Sequence, residues 1–244
     1  MPKKNIVISI ESPNLSAKLF SSLGSFQLLC ADEEHKLLNN KKYSTEIRNN
    51  IIENQHAYVI GGILCATSFL EAKINEIFEG AMMYMRMLKS GITDKILSNN
   101  QILVIKNLAY LKDNLDRNLR SLEKYQLALM VTNNIPFDKA KKPYQDVYLI
   151  FALRNLLVHY EPEWIESYIV GNYSKIRVQK IEQKLKGKFL PNKHVDSSSH
   201  FFPDKCLSKG CLDWVITSVM TFIDMFHEKI GLPKHLNTST VAKK

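Results

Sequence analysis

Residues 146–164 read DVYLIFALRNLLVHYEPEW, and this stretch decides the fold. Val147, Leu149, Ile150, Leu153, Leu156, Leu157 and Val158 fill nearly every direction of an α-helix. At about 100° per residue, one narrow stripe is left over: Tyr148, Ala152, Asn155 and His159, in steps of four, three and four. A helix that is apolar nearly all round is buried on more than one side, either in the centre of a bundle or beneath a second subunit. Pro162 ends it near Glu161, because α geometry is disfavoured in the residue before a proline. The spacing predicts a helix from about Tyr144 to His159.

The same helical period extends outward from this segment. From about Ala31 to Lys89, Ile47, Ile51, Ile52, Tyr58, Val59, Ile63, Leu64, Thr67, Leu70, Ile74, Ile77 and Phe78 recur at three- and four-residue steps. Ser44 is placed to cap this run, and Gly61-Gly62 within it predicts a kink or a close approach by a neighbour. Helices are predicted over Thr93–Leu111, Leu115–Thr132 and Leu207–Lys229. The last carries Trp214, Val215, Val219, Phe222, Ile223 and Phe226 on its apolar face and is closed by Gly231-Leu232-Pro233. Residues 190–204 read as a loop. A short strand over Lys4–Ile10 and a hairpin over Ile169–Tyr173 are the only extended candidates. The expectation is an all-α helical bundle in one domain. Residues 1–27 form an N-terminal extension, 28–232 the core and 233–244 a frayed tail.

Composition narrows the class. The chain has 244 residues, 45% of them hydrophobic, with 9 Gly and 8 Pro, so it is neither disordered nor collagen-like. Lys and Arg number 33 against 24 acidic residues, a net charge of +9, which suits a polyanionic partner. Only six cations are arginine, at 48, 86, 117, 120, 154 and 177. No buried strands alternate with the helices, and the phosphate-binding glycine loops and the H-E-x-x-H and G-x-S-x-G motifs are missing.

Ile6–Ile10 is too short for a secretory leader. The uncharged run Ala57–Leu70 has 14 residues, against the roughly 20 of a membrane span. The protein is therefore expected to be soluble and cytoplasmic, with Cys30, Cys65, Cys206 and Cys211 reduced. His194, His200, Cys206 and Cys211 fall within 18 residues. Their spacings sit at the edge of the zinc-ligand ranges and in reverse order, so a plain loop is the expectation and no metal or cofactor is assigned.

Chemistry concentrates in the quoted helix. Arg154 lies among apolar directions, about 140° from His159 on the helical wheel, and a buried guanidinium needs a partner or an anionic ligand. His159 falls in the last turn, whose unpaired carbonyls favour a protonated imidazole. A histidine moves protons near neutral pH, and an arginine holds a phosphate in a fork. Together they suit phosphodiester chemistry without a metal.

Arg154-Asn155-Leu156-Leu157-Val158-His159 resembles the R-x4-6-H motif of the HEPN superfamily (higher eukaryotes and prokaryotes nucleotide-binding domains), with the polar Asn directly after the Arg. The Tyr-x-Pro-x-Trp of Tyr160–Trp164, the Phe202-Pro203 loop before a Trp-containing terminal helix, and Ser68-Phe69-Leu70-Glu71 in a long early helix are also similar. The resemblance implies a helical bundle that dimerises with two motifs facing one cleft. It further implies a metal-independent endoribonuclease of phage defence, toxin–antitoxin or stress systems, leaving 2′,3′-cyclic phosphate and 5′-OH ends. Carried over, Arg154 binds the phosphate, His159 is acid or base, and Asn155 orients one of them. Glu71, Tyr148 and Tyr160 are supporting neighbours. In toxins with R-x4-6-H-x-Y the Tyr stands two residues after the His; here Tyr160 follows His159 directly, so that tyrosine's modification is not carried over. Other members cut nothing and act as RNA- or protein-binding modules, regulatory or antitoxin-like, and that alternative stands beside the nuclease.

Lys175, Arg177, Lys180, Lys184, Lys186 and Lys188 form the densest basic run. They are either RNA-backbone contacts with salt-dependent affinity or a solvated helix face. Glu71 is also a candidate counter-ion for Arg154.

Overall fold

A computed structural model describes residues 14–39, 42–91, 97–113, 119–159 and 176–232, and seven α-helices run among these described residues. They are α1 (Leu15–Asn39), α2 (Thr45–Lys89), α3 (Asn99–Asp113), α4 (Ser121–Val131), α5 (Tyr144–Val158), α6 (Ile176–Leu185) and α7 (Lys209–Ile230). A short wide turn, Phe201–Lys205, precedes α7. No strand occurs among the described residues, so the fold is all-α. The strand expected over Lys4–Ile10 and the hairpin over Ile169–Tyr173 lie outside them.

The helices follow their sequence signals with informative differences. Ser44 caps α2: its Oγ accepts from the Ile47 N–H at 3.3 Å and its carbonyl from the Arg48 N–H at 3.0 Å. The helical pattern read from Ala31 to Lys89 is two helices, and the first begins as early as Leu15. Residues 15–27 were legible only as an extension because α1 buries a single edge. Ser16, Leu23, Cys30 and Leu37, seven apart, are its deepest positions, while Leu15, Leu28 and Leu38 are exposed. Ile47, expected on the apolar face of α2, is exposed. The predicted helices Thr93–Leu111 and Leu115–Thr132 begin later, as α3 and α4. Their early residues 93–96 and 115–118 lie outside the described ones.

The chain packs as two compact units, and the division falls within α1 at Lys18/Leu19, within α2 at Phe69/Leu70, at Phe137/Asp138 and within α7 at Phe222/Ile223. In one unit Leu70, Ile74 and Phe78 of α2 are buried, as are Ile105 and Leu108 of α3 and Tyr125 and Leu129 of α4. The Tyr125 ring meets Phe226 edge-on, centroids 4.8 Å apart, and its hydroxyl donates to the Leu70 carbonyl at 2.8 Å. A buried tyrosine thus keeps both its packing and its hydrogen bond.

In the other unit, the Gly61-Gly62 pair provides the close approach. A Cβ at Gly61 would stand 2.7 Å from the Phe26 ring of α1, and one at Gly62 would collide with Leu212 of α7. Two missing side chains thus let two helices seat against α2. Val147, Ile150 and Leu153 of α5 are fully buried, as are Leu212, Val215 and Val219 of α7. An 18-residue window of α2 with mean hydropathy 1.4 is apolar and long enough to cross a membrane by length and composition; 44% of it is buried within the protein.

Candidate functional site

α5 begins as a core helix and ends as an open one. Tyr144, Asp146, Val147, Leu149, Ile150 and Leu153 are buried. Beyond Leu153, Arg154, Leu156 and Leu157 are half-buried, and Asn155, Val158 and His159 are exposed. Within the chain, therefore, only the first half of this helix is covered nearly all round. In its second half leucine and valine face solvent within the chain, which the apolar composition alone could not distinguish from burial. The narrow stripe predicted from the wheel is the open side: Tyr148 is 53% exposed, Ala152 half-buried, and Asn155 and His159 exposed.

His159 is the residue at which α geometry ends, with φ −117° and ψ 50°, and its N–H still donates to the Asn155 carbonyl at 2.9 Å. An exposed imidazole thus stands at the carbonyl end of α5, where the helix carries its partial negative charge. Arg154 is half-buried rather than enclosed. Its guanidinium lies 5.9 Å from the centroid of the Phe151 ring one turn earlier, a cation–π distance. A guanidinium carries the planar fork that grips an anion. Glu71, a candidate counter-ion in the sequence, is exposed on α2. Tyr160 and Lys175 lie outside the described residues, and Arg177 and Lys180 belong to the first half of α6.

The basic run divides. Lys184 and Lys186 are exposed, the latter with its Nζ 6.0 Å from the Phe201 ring. Lys188 is a correction to the sequence reading: it is neither a solvated lysine nor free for RNA. Its Nζ donates to Asp146 Oδ1 at 2.6 Å, with the carboxylate side chain only 6% exposed. Lys142 approaches the other oxygen at 3.5 Å. Asp146 is buried in the first turn of α5, where burying a carboxylate requires a cation, and Lys188 supplies it from 42 residues away.

A second polar cluster went unrecognised in the sequence. Glu34 accepts from Gln55 Nε2 at 2.9 Å and lies 3.1 Å from His194 Nε2. Asn192 donates to Gln55 Oε1 at 2.9 Å and to the Leu207 carbonyl at 3.2 Å, and stands 3.4 Å from His56 Nε2. α1, α2 and the loop before α7 are tied together by these bonds. The available signal was Gln55, a fully buried amide in register between Ile51 and Val59 on the inward stripe of α2. His194, weighed as a zinc ligand, is spent on Glu34. Cys206 and Cys211 are buried, and burial pushes the Cys211 thiol up. Burial, with Asp213 nearby, pushes the Cys30 thiol up to about 12, which leaves it protonated and unreactive at neutral pH. Among the described residues no three His, Cys, Asp or Glu side chains are arranged for a metal ion.

This cluster has a pH signature. Burial pushes the His56 imidazole down, against the nearby Asp204 and Glu53 carboxylates. Burial would push Glu34 up, but the Gln55 and His194 hydrogen bonds outweigh it and hold the carboxyl below its ordinary value. Both groups bind protons more readily in the unfolded chain, so both make stability fall as pH falls. The His56 contribution is complete above the ordinary imidazole value of 6.5 and is lost below it. The Glu34 contribution is complete above the ordinary carboxyl value of 4.5 and is lost below that. Urea midpoints measured from about pH 7.5 down to about pH 4 should decline in two stages. His56→Gln should remove the upper stage and Glu34→Gln the lower. A wild-type midpoint flat across that range would contradict the assignment.

No known protein family, curated protein or solved structure matches this chain.

Proposed function

We propose that the protein is a metal-independent endoribonuclease of HEPN type, with Arg154, Asn155 and His159 as its working residues. The observation that carries this reading is the open end of α5. A half-buried guanidinium, a carboxamide and an exposed imidazole share the last turns of a helix whose first half is locked in the core. Rigid placement on such a helix is what a catalytic group needs. The Arg154-Asn155-x3-His159 spacing, which resembles the HEPN motif, supplies the reaction class.

In this reaction the RNA 2′-oxygen attacks the adjacent phosphorus and the P–O5′ bond breaks. The proton lost from the 2′-OH is matched by one delivered to the 5′-oxygen, giving a 2′,3′-cyclic phosphate and a 5′-OH. Arg154 neutralises the charge that builds on the non-bridging oxygens. One imidazole takes or gives one proton. Two protomers facing one cleft supply both, which is why a homodimer belongs to the proposal. A cytoplasmic role in defence or stress, with an antitoxin or defence-complex partner, follows from the resemblance alone.

The test is cleavage of RNA in excess EDTA by the wild type, Arg154→Ala and His159→Ala. Loss of cutting in both variants is expected; cutting unchanged by either overturns the assignment. RNA binding without any cutting by the wild type would favour the silent binding module.

A further inference from the structure

We infer that a single-stranded RNA lies lengthwise on the open face of α5, with one base stacked on Tyr148 and its backbone leaving over the lysines at the start of the helix. The direction of the strand rests on the nuclease reading; the binding itself does not. Tyr148 is 53% exposed although it lies in the half of α5 where Tyr144, Val147, Leu149 and Ile150 are buried. An aromatic ring left in water on a rigid core helix offers a flat face to an unpaired base. A base in a duplex has no such face to offer, so the ligand is single-stranded.

The same stripe continues to both ends of the helix. Toward the C-terminus it passes Ala152, whose small side chain leaves the surface low, to Asn155 and His159. Toward the N-terminus the Gln145 N–H donates to the Lys141 carbonyl at 2.9 Å, which holds the turn before α5 against the first residues of the helix. Lys139, Lys141 and Lys142 are all exposed there. Lys141 lies 3.5 Å from Asp138 and Lys142 3.5 Å from Asp146, but both lysines stay largely in solvent, where such pairs are weak and a phosphate can compete for them. At about 1.5 Å per residue, Tyr148 stands roughly 10–17 Å along the helix from Asn155 and His159, and roughly 6 Å from the helix start at Tyr144, beside which the lysines lie. That length takes a strand of several nucleotides with a cation cluster at one end, a stacking platform in the middle and the reacting phosphate at the other.

The experiment measures fluorescence anisotropy of a 2′-O-methyl RNA of about ten nucleotides, which cannot be cleaved by 2′-OH attack. Tyr148→Ala should weaken binding about 5- to 100-fold, and Tyr148→Phe should restore it. Changing Lys139, Lys141 and Lys142 to Gln should reduce the slope of log affinity against log salt by about two. Affinity indifferent to both sets of changes overturns the inference. If Tyr148→Arg instead splits a dimer into monomers without changing affinity, the face takes a second copy of the chain and the inference falls. A protein that binds in a Tyr148-dependent way but cuts no RNA keeps the inference and loses the nuclease. A protein that cuts RNA while binding ignores Tyr148 does the reverse.

Discussion

His159→Ala is expected to lower the rate of RNA cleavage by about two to four orders of magnitude, the range of a lost acid–base group. The change should leave the fold intact, because His159 is exposed and follows the last residue of α5. The urea midpoint of the variant should therefore match the wild type while its cleavage is lost. Arg154 separates charge from geometry. Arg154→Lys keeps the charge but loses the planar fork that grips two phosphate oxygens. It should cut faster than Arg154→Ala and well below the wild type. Equal activity in Arg154→Lys and the wild type would mean that a point charge suffices, and that the fork plays no part.

The second large effect is on stability. Lys188→Ala is expected to cost about 3 kcal/mol, because it strips a buried carboxylate of its main cation. Lys142 stays near Asp146 but is 71% exposed and 3.5 Å away, so it offsets only part of the loss. Lys184→Ala, four residues earlier and exposed, should stay within about 0.5 kcal/mol of the wild type. Pairing Lys188→Met with Asp146→Leu should recover most of the loss, since no charge is then buried alone. Urea unfolding of the four proteins decides it. If Lys188→Ala is as stable as Lys184→Ala, the ion pair does not anchor α5 and the two lysines are equivalent surface charges.

The all-α class and most of the helices were legible because apolar residues at three- and four-residue steps leave a strong periodic trace. The trace fails where burial is one-sided and thin. α1 touches the core through a seven-residue repeat of Ser16, Leu23, Cys30 and Leu37, too sparse to read as a face, and so its beginning looked like an extension. It also fails where composition saturates. Leu156, Leu157 and Val158 are as apolar as Leu149 and Ile150, yet only the latter pair is buried. Nothing local tells a covered leucine from an open one.

For the site, the wheel placed Tyr148, Ala152, Asn155 and His159 on one stripe, and that stripe is the open one. The role of Asp146 was invisible because its partner lies 42 residues away. Lys188 consequently read as one more cation in a basic run. The Glu34, Gln55, Asn192 and His194 cluster was missed for the same reason: its members come from three segments distant in sequence. Only Gln55, a polar residue in an apolar register, signalled it locally.

The most direct measurement is the chemistry of the cut ends. An RNA carrying a single 2′-deoxy nucleotide at the preferred cleavage position should be incubated with the protein in excess EDTA, beside the all-ribose strand, and the products identified by mass spectrometry. The all-ribose strand should give a 2′,3′-cyclic phosphate and a 5′-OH, and the 2′-deoxy strand should stay intact at that position. Cutting of the 2′-deoxy strand, or products that carry a 5′-phosphate, would contradict the role given to Arg154 and His159.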